Sequence, residues 1–308
     1  MNGKERNGTG VKSFIIANPL YDTVFKRLME NMRIAKFFLS TILEQQITEV
    51  TVLPQEFTYR GKVKKGPDDD VYYSIFRIDF MATVLTEDGE RKKILIEVQK
   101  SWNQDDLMRF RKYLGEQYGK TDTMSNGEIT LPITTIYILG FNLAGIESPC
   151  VKVGRMYTDM RNRETIHAKS RFIELLTHDS YVIQAGRIAD LRYTTNLDKL
   201  LSIFEQAYFI RKDSGVIKEY RYQPDDEEME LITSVLYEMA ADGEERKQLE
   251  NEEEAMRILE AVYFRKIREH ESVIEEQARA LEEKARALEE KDRQIAELKR
   301  LLQGNQAE

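Results

Sequence analysis

The chain has 308 residues, with 46 Lys+Arg against 54 Asp+Glu for a formal charge of −8, and it is 41% hydrophobic and 32% charged. That length allows one large domain or two modest ones with an ample core, and it excludes collagen-like, disulfide-scaffold and wholly disordered classes. The charge excludes a surface that is basic all over, yet it is unevenly placed. From Glu244 onward there are 18 acidic and 13 basic residues, a charge of −5, which leaves 36 and 33, or −3, for residues 1–243.

The single cysteine, Cys150, has no intramolecular disulfide partner and belongs to no Cys/His cluster suited to structural zinc. No apolar run approaches the length of a membrane span, and the N-terminus lacks the apolar region of a secretion signal. A soluble, cytoplasmic protein with no membrane partner is expected. No P-loop, GxGxxG, GxSxG or HExxH is present, which argues against nucleotide-dependent, serine-hydrolase and zincin chemistry.

Residues 1–12 have almost no apolar side chains and are expected to be disordered. After Asn18-Pro19, the set Val24, Phe25, Leu28, Met29, Met32, Phe37, Phe38 and Ile42 recurs at helical spacing, predicting one helix or two short ones over 22–44. ITEVTVLPQEFTYRG reads as extended and KVKKGPDDD as a loop. VYYSIFRIDFMATVLT and RKKILIEVQ read as two strands joined at EDGE, where Asp88-Gly89 is a turn pair. A helix is predicted at about 104–120, a strand at 132–141, and one or two strands in 150–178 with FIEL (172–175) foremost among them. After Asp179 the composition turns helical, with Leu197, Leu200, Leu201, Phe204 and Tyr208 on one face and a further helix from Glu228 to Met239.

Beyond Gly243 the chain is dense in Glu, Lys, Arg, Ala and Leu, and ARALEEK occurs twice in succession. Ile274, Leu281, Leu288, Ile295 and Leu302 recur every seven residues, with Ala278 and Ala285 in the complementary apolar position. A sustained seven-residue repeat predicts a left-handed coiled coil and a homo-oligomer, the alternative being a solvated single helix held by i,i+4 ion pairs. Asp292 and Lys299 fall at later seam positions and weaken the pairing.

Two carboxylates stand out for their context. Glu97 in ILIEVQ and Asp79 in IFRIDF each lie in a strand among apolar neighbours, where a charge needs compensation. With the turn centred on Asp88, residues whose numbers total 176 face each other, so Asp79 and Glu97 become cross-strand neighbours. Gln99 follows on the same face. A cation between the two carboxylates would relieve their repulsion, and Mg²⁺ takes such oxygen donors. Such an ion can activate water for phosphodiester hydrolysis. The competing reading is a salt bridge from Asp79 to Arg77 or Lys93.

An Asp on one strand, a turn, and Glu-x-Gln on the next resembles the PD-(D/E)XK nuclease superfamily. The wider arrangement is similar to its recombination-promoting nuclease and transposase-like branch. The matching pieces are NPLYDTVFKRLM (18–29), IFRIDF with Asp79, ILIEVQK with Glu97 and Gln99, DLMRFRKYLGEQYGK (106–120), TTIYILGF and FIEL, covering about residues 14–210.

The resemblance implies an α/β fold with a mixed central sheet flanked by helices. The nuclease-like core spans 13–180 and is followed by the helical extension over 181–243 and the long helix or coiled coil over 244–303 that composition and repeat predict. The resemblance also implies a Mg²⁺-dependent DNA endonuclease, with Mn²⁺ as an alternative ion, acting on mobile elements. Asp79 and Glu97 would be metal ligands, and Asp22 matches the acidic position that completes the shell. Asp22 reads equally as a first-turn helix acid. Gln99 stands where a lysine usually orients the attacking water, so positive charge must come from elsewhere. Lys100 points to the opposite face by alternation, which leaves Arg109 or Arg111 as the cation. Lys26, Arg109 and Arg111 are candidate phosphate contacts. The literal Pro67-Asp68 pair reads as a decoy in a polar loop. A catalytically idle nuclease fold serving as an oligomerisation or DNA-binding module is the alternative.

Overall fold

The computed structural model describes residues 13–53, 61–64, 70–73, 80–100, 104–124, 127–189, 191–208 and 215–304. Residues 1–250 form one compact unit and 251–308 a second.

The first unit is mixed α/β. Strand β1 (Phe14–Ala17) leads into α1 (Asp22–Glu30) and α2 (Met32–Leu43). The expected helical stretch divides at Asn31, whose side-chain oxygen accepts from the amides of Arg33 and Ile34 and so caps α2. Glu44, with φ of 53°, ends α2 in the left-handed region. There follow β2 (Ile47–Val52), β3 (Gly61–Lys64), β4 (Asp70–Tyr73), β5 (Phe80–Thr86) and β6 (Arg91–Gln99). Next come α3 (Gln104–Tyr118), β7 (Asp122–Met124), β8 (Gly127–Ile129) and β9 (Ile133–Leu139).

A peripheral segment then supplies β10 (Cys150–Val153), β11 (Tyr157–Thr158), β12 (Thr165–Ile166) and α4 (Arg171–Leu176). The unit ends with β13 (Asp179–Gln184), α5 (Asn196–Ser202), β14 (Ile217–Tyr220), α6 (Glu227–Ala241) and the start of α7 (Gly243–Gly304).

Six strands build the main sheet in the order β10-β13-β9-β6-β5-β2. β6 is central, antiparallel to β5 and parallel to β9, and β9 is parallel to β13. The expected hairpin register holds through every described pair, from Leu85–Arg91 to Phe80–Ile96. Its turn closes with Gly89 at φ of 83° and the Thr86 and Glu90 backbones bonded to each other.

Both faces of β6 are covered, so its side chains are buried on alternate sides. Leu95 and its neighbours Met81 and Ile133 pack under Phe110 and Tyr113 of α3. Ile94 and Ile96 are buried on the other face. The end of β6 meets β9 very closely: a Cβ placed on Gly140 would lie 2.3 Å from the Lys100 carbonyl oxygen, and the Gly140 amide donates to the Gln99 carbonyl at 2.8 Å.

Three expectations are corrected. FIEL lies in helix α4, where a six-residue segment carries too few residues to separate the two periodicities. Residues 179–184 form β13 in the main sheet, although the composition there suggested helix. The stretch 62–70, read as a loop, contains most of β3 and the start of β4, which pair as a hairpin. The short pair β1 and β14 was also not anticipated. It joins the two ends of the unit, and Asn18, fully buried, ties the same junction through its side chain to Gln206 and the Gly215 carbonyl.

The second unit is helical. Within it Ile274, Leu281, Leu288 and Ile295 of α7 are all exposed. No described helix is long and apolar enough to cross a membrane.

Candidate functional site

Glu97 is the buried acid of the central strand, 4% exposed. It sits near the C-terminal end of β6 on the face covered by α3, where alternation places Lys93, Leu95, Glu97 and Gln99 together. Its register partner on β9 is Tyr137, and Phe110 of α3 packs edge-on against the Tyr137 ring at 4.7 Å. Arg109, one residue before Phe110, sends Nη2 to Glu97 Oε1 at 3.0 Å. Helix α3 therefore supplies both the apolar roof and the cation. Its guanidinium is partly open to solvent.

The two tyrosines nearby show how dry this face is. Burial pushes both Tyr113 and Tyr137 up to about 12, helped at Tyr113 by the charges of Glu116 and then Glu97, and at Tyr137 by that of Glu97. Tyr113 donates to Met81 Sδ at 3.1 Å. Tyr137 was not singled out from the sequence, because in ITTIYIL it reads as an ordinary core aromatic. Only the register of β9 beside β6 brings it next to Glu97.

The other expected residues are placed as follows. Asp79 and Pro67-Asp68 lie outside the described residues, and the β5–β6 ladder is described up to Phe80–Ile96, one pair before 79 and 97. Gln99, half-buried, is the last residue of β6. Asp22 begins α1 as a first-turn acid and accepts from Lys26 Nζ at 2.5 Å, so these two pair with each other. Arg111 is exposed on α3, with Nη1 4.0 Å from Met108 Sδ. Lys100 donates to Tyr21 OH at 2.7 Å with Nζ 4.2 Å from that ring's centroid. Lys93, a possible partner for Asp79, is buried and pairs with Asp122 at 2.7 Å.

As for a metal, Glu97 and the Gln99 amide are oxygen donors of the hard kind that Mg²⁺ takes, and they share one face. The residues present fit such an ion in chemistry, with Arg109 competing for Glu97. Among the described residues no group of three or more His, Cys, Asp and Glu is placed to hold a metal.

His178 Nδ1 is 2.7 Å from Tyr118 OH, and burial followed by Arg155 lowers its pKa. His167 is exposed. Burial pushes the Cys150 thiol up to about 11, which leaves it protonated and inert at neutral pH. Lys218 is fully buried on β14, and its Nζ donates to the carbonyls of Ser202 and Glu205 as the chain leaves α5.

A search of family models, curated proteins and solved structures finds no match to this chain.

Proposed function

We propose that the chain is a Mg²⁺-dependent DNA endonuclease of the PD-(D/E)XK type, in the recombination-promoting or transposase-like manner. The observation that supports this reading best is Glu97: a carboxylate buried in the central strand of a mixed sheet, with Gln99 two residues on and an arginine at 3.0 Å. A buried charge costs several kcal/mol unless compensated, so an acid in this position needs a reason.

The reading sets Asp79 opposite Glu97, one step past the last described pair of the hairpin. A divalent ion held by these two would lower the pKa of a bound water and polarise a phosphoryl oxygen. Gln99 orients the water through its amide. Arg109, partly in solvent and already beside Glu97, turns to the phosphate and supplies the positive charge that Gln99 lacks. Arg111 and Lys26 offer exposed or partly exposed charge to the DNA backbone, Lys26 after release from Asp22. The coiled-coil segment of α7 joins copies of the chain.

The test is plasmid nicking by purified protein with Mg²⁺ or Mn²⁺. Wild type should nick only with metal, and Asp79→Ala and Glu97→Gln should not nick at all. Equal nicking by wild type and Asp79→Ala would sink the site.

The Arg109–Glu97 pair also favours a second reading, a nuclease fold that is chemically idle, because the arginine already compensates the carboxylate. Titration calorimetry with Mn²⁺ separates the two: the idle protein gives no heat.

A further inference from the structure

We propose that the exposed seam of α7 is covered by a second copy of this chain, running parallel and in register. The proposal rests on the coiled-coil reading above and adds the occupant and its direction. Four apolar side chains spaced by seven, Ile274, Leu281, Leu288 and Ile295, stand 49–67% exposed along one helix. A lone helix gains nothing from such a row, whereas a second helix bearing the same row would bury it.

The charges beside the seam choose the partner. With the Leu/Ile row at d and Ala278 and Ala285 at a, the residues following d are Glu275, Glu282 and Glu289, and those preceding a are Gln277, Lys284 and Lys291. One flank is thus acidic and the other basic or neutral. In a parallel pair each flank meets the opposite flank of the partner five residues further on, so Lys284 meets Glu289 and Gln277 meets Glu282, each twice by symmetry. In an antiparallel pair each flank meets its own kind, glutamate against glutamate and lysine against lysine, whatever the stagger.

The chain leaves this pairing open. Glu275 and Glu282 are engaged within the helix by Arg279 and Arg286, but among the described residues neither Lys284 nor Glu289 has an ion-pair partner. Alanine at a permits the close approach of two helices. Asp292 at the next a position sets like charges against each other in the parallel pair, so the segment from Ile274 to Lys291 carries the pairing.

The experiment uses the full chain with Cys150→Ser, so that no native thiol interferes. Sedimentation equilibrium should give twice the chain mass. Ala278→Cys and Ala285→Cys, made separately, should each form an interchain disulfide on mild oxidation, since residues at a face their own counterparts only when helices are parallel and in register. Glu282→Lys/Glu289→Lys should weaken dimerisation at least about tenfold while circular dichroism keeps the helical signal. A dimer in which only one cysteine variant cross-links is antiparallel or staggered; it overturns the proposal and leaves the coiled coil standing. A trimer also overturns it. A monomer overturns both the proposal and the coiled-coil reading beneath it.

Discussion

Arg109 Nη2 lies 3.0 Å from Glu97 Oε1, an ion pair that joins the covering helix α3 to the central strand. Because the acid is buried and the base partly in solvent, the pair is asymmetric. Removing the arginine withdraws a cation from a buried carboxylate, whereas neutralising the acid leaves a cation that water can reach.

Arg109→Met should therefore lower stability by about 1–3 kcal/mol, below the range for a wholly buried pair because the guanidinium is partly hydrated. Glu97→Gln should recover most of that loss. A urea-denaturation double-mutant cycle measures the coupling, and a coupling near zero would show the pair to be incidental.

For activity the order reverses. Glu97→Gln should leave no metal-dependent nicking, Gln99→Ala should slow it about 10–100-fold, and Gln99→Lys should retain it, since lysine restores the usual cation of the resembled family. Single-turnover rates on plasmid at saturating Mg²⁺ rank the three.

Lys218 provides a pH signature. Burial lowers its pKa to about 7, against roughly 10.4 in an unfolded chain. Between those values the unfolded state binds the extra proton, so stability rises with pH from about 7 upward and the penalty is complete below it. Cys150 has its pKa raised, so it opposes this trend from about pH 9. Denaturation between pH 7 and 9 should show a gain of up to about 2 kcal/mol, and Lys218→Met should flatten the slope. An unaltered slope in the mutant would assign it to other groups.

Asp292→Leu should tighten the proposed dimer about tenfold by replacing a charge at the seam with an apolar residue. Sedimentation of both proteins at matched concentration reads the difference. Unchanged association would place Asp292 outside the seam.

The parts legible in the sequence are those where pattern and turn chemistry agree over enough residues. RKKILIEVQ is a strand from its first residue to its last, and Asp88-Gly89 sets the register of every described pair with β5. Glu97 was visible because a charge among Ile, Leu and Val is conspicuous. Tyr137 was not, since its role depends on β9 lying parallel beside β6, a pairing with no local signal. The same limit hid β13, whose six residues are stabilised by a neighbour about 45 positions earlier, and the four-residue strands β1 and β14, which exist only as each other's partner. α4 misled for the opposite reason: its Phe172 and Leu176 are exposed, so its alternation reports no buried face.

Gly140 gives the candidate site a mechanical sensitivity. Its α-carbon leaves no room for a methyl group against the Lys100 carbonyl, immediately after Gln99. Any side chain there acts as a wedge, driven between two parallel strands at the point where one has just presented Glu97 and Gln99. Gly140→Ala would thus shift the acid and the amide without changing an atom of either. Hydrogen exchange at the Gly140 amide, bonded to the Gln99 carbonyl in the native strands, should quicken in that variant before global stability falls.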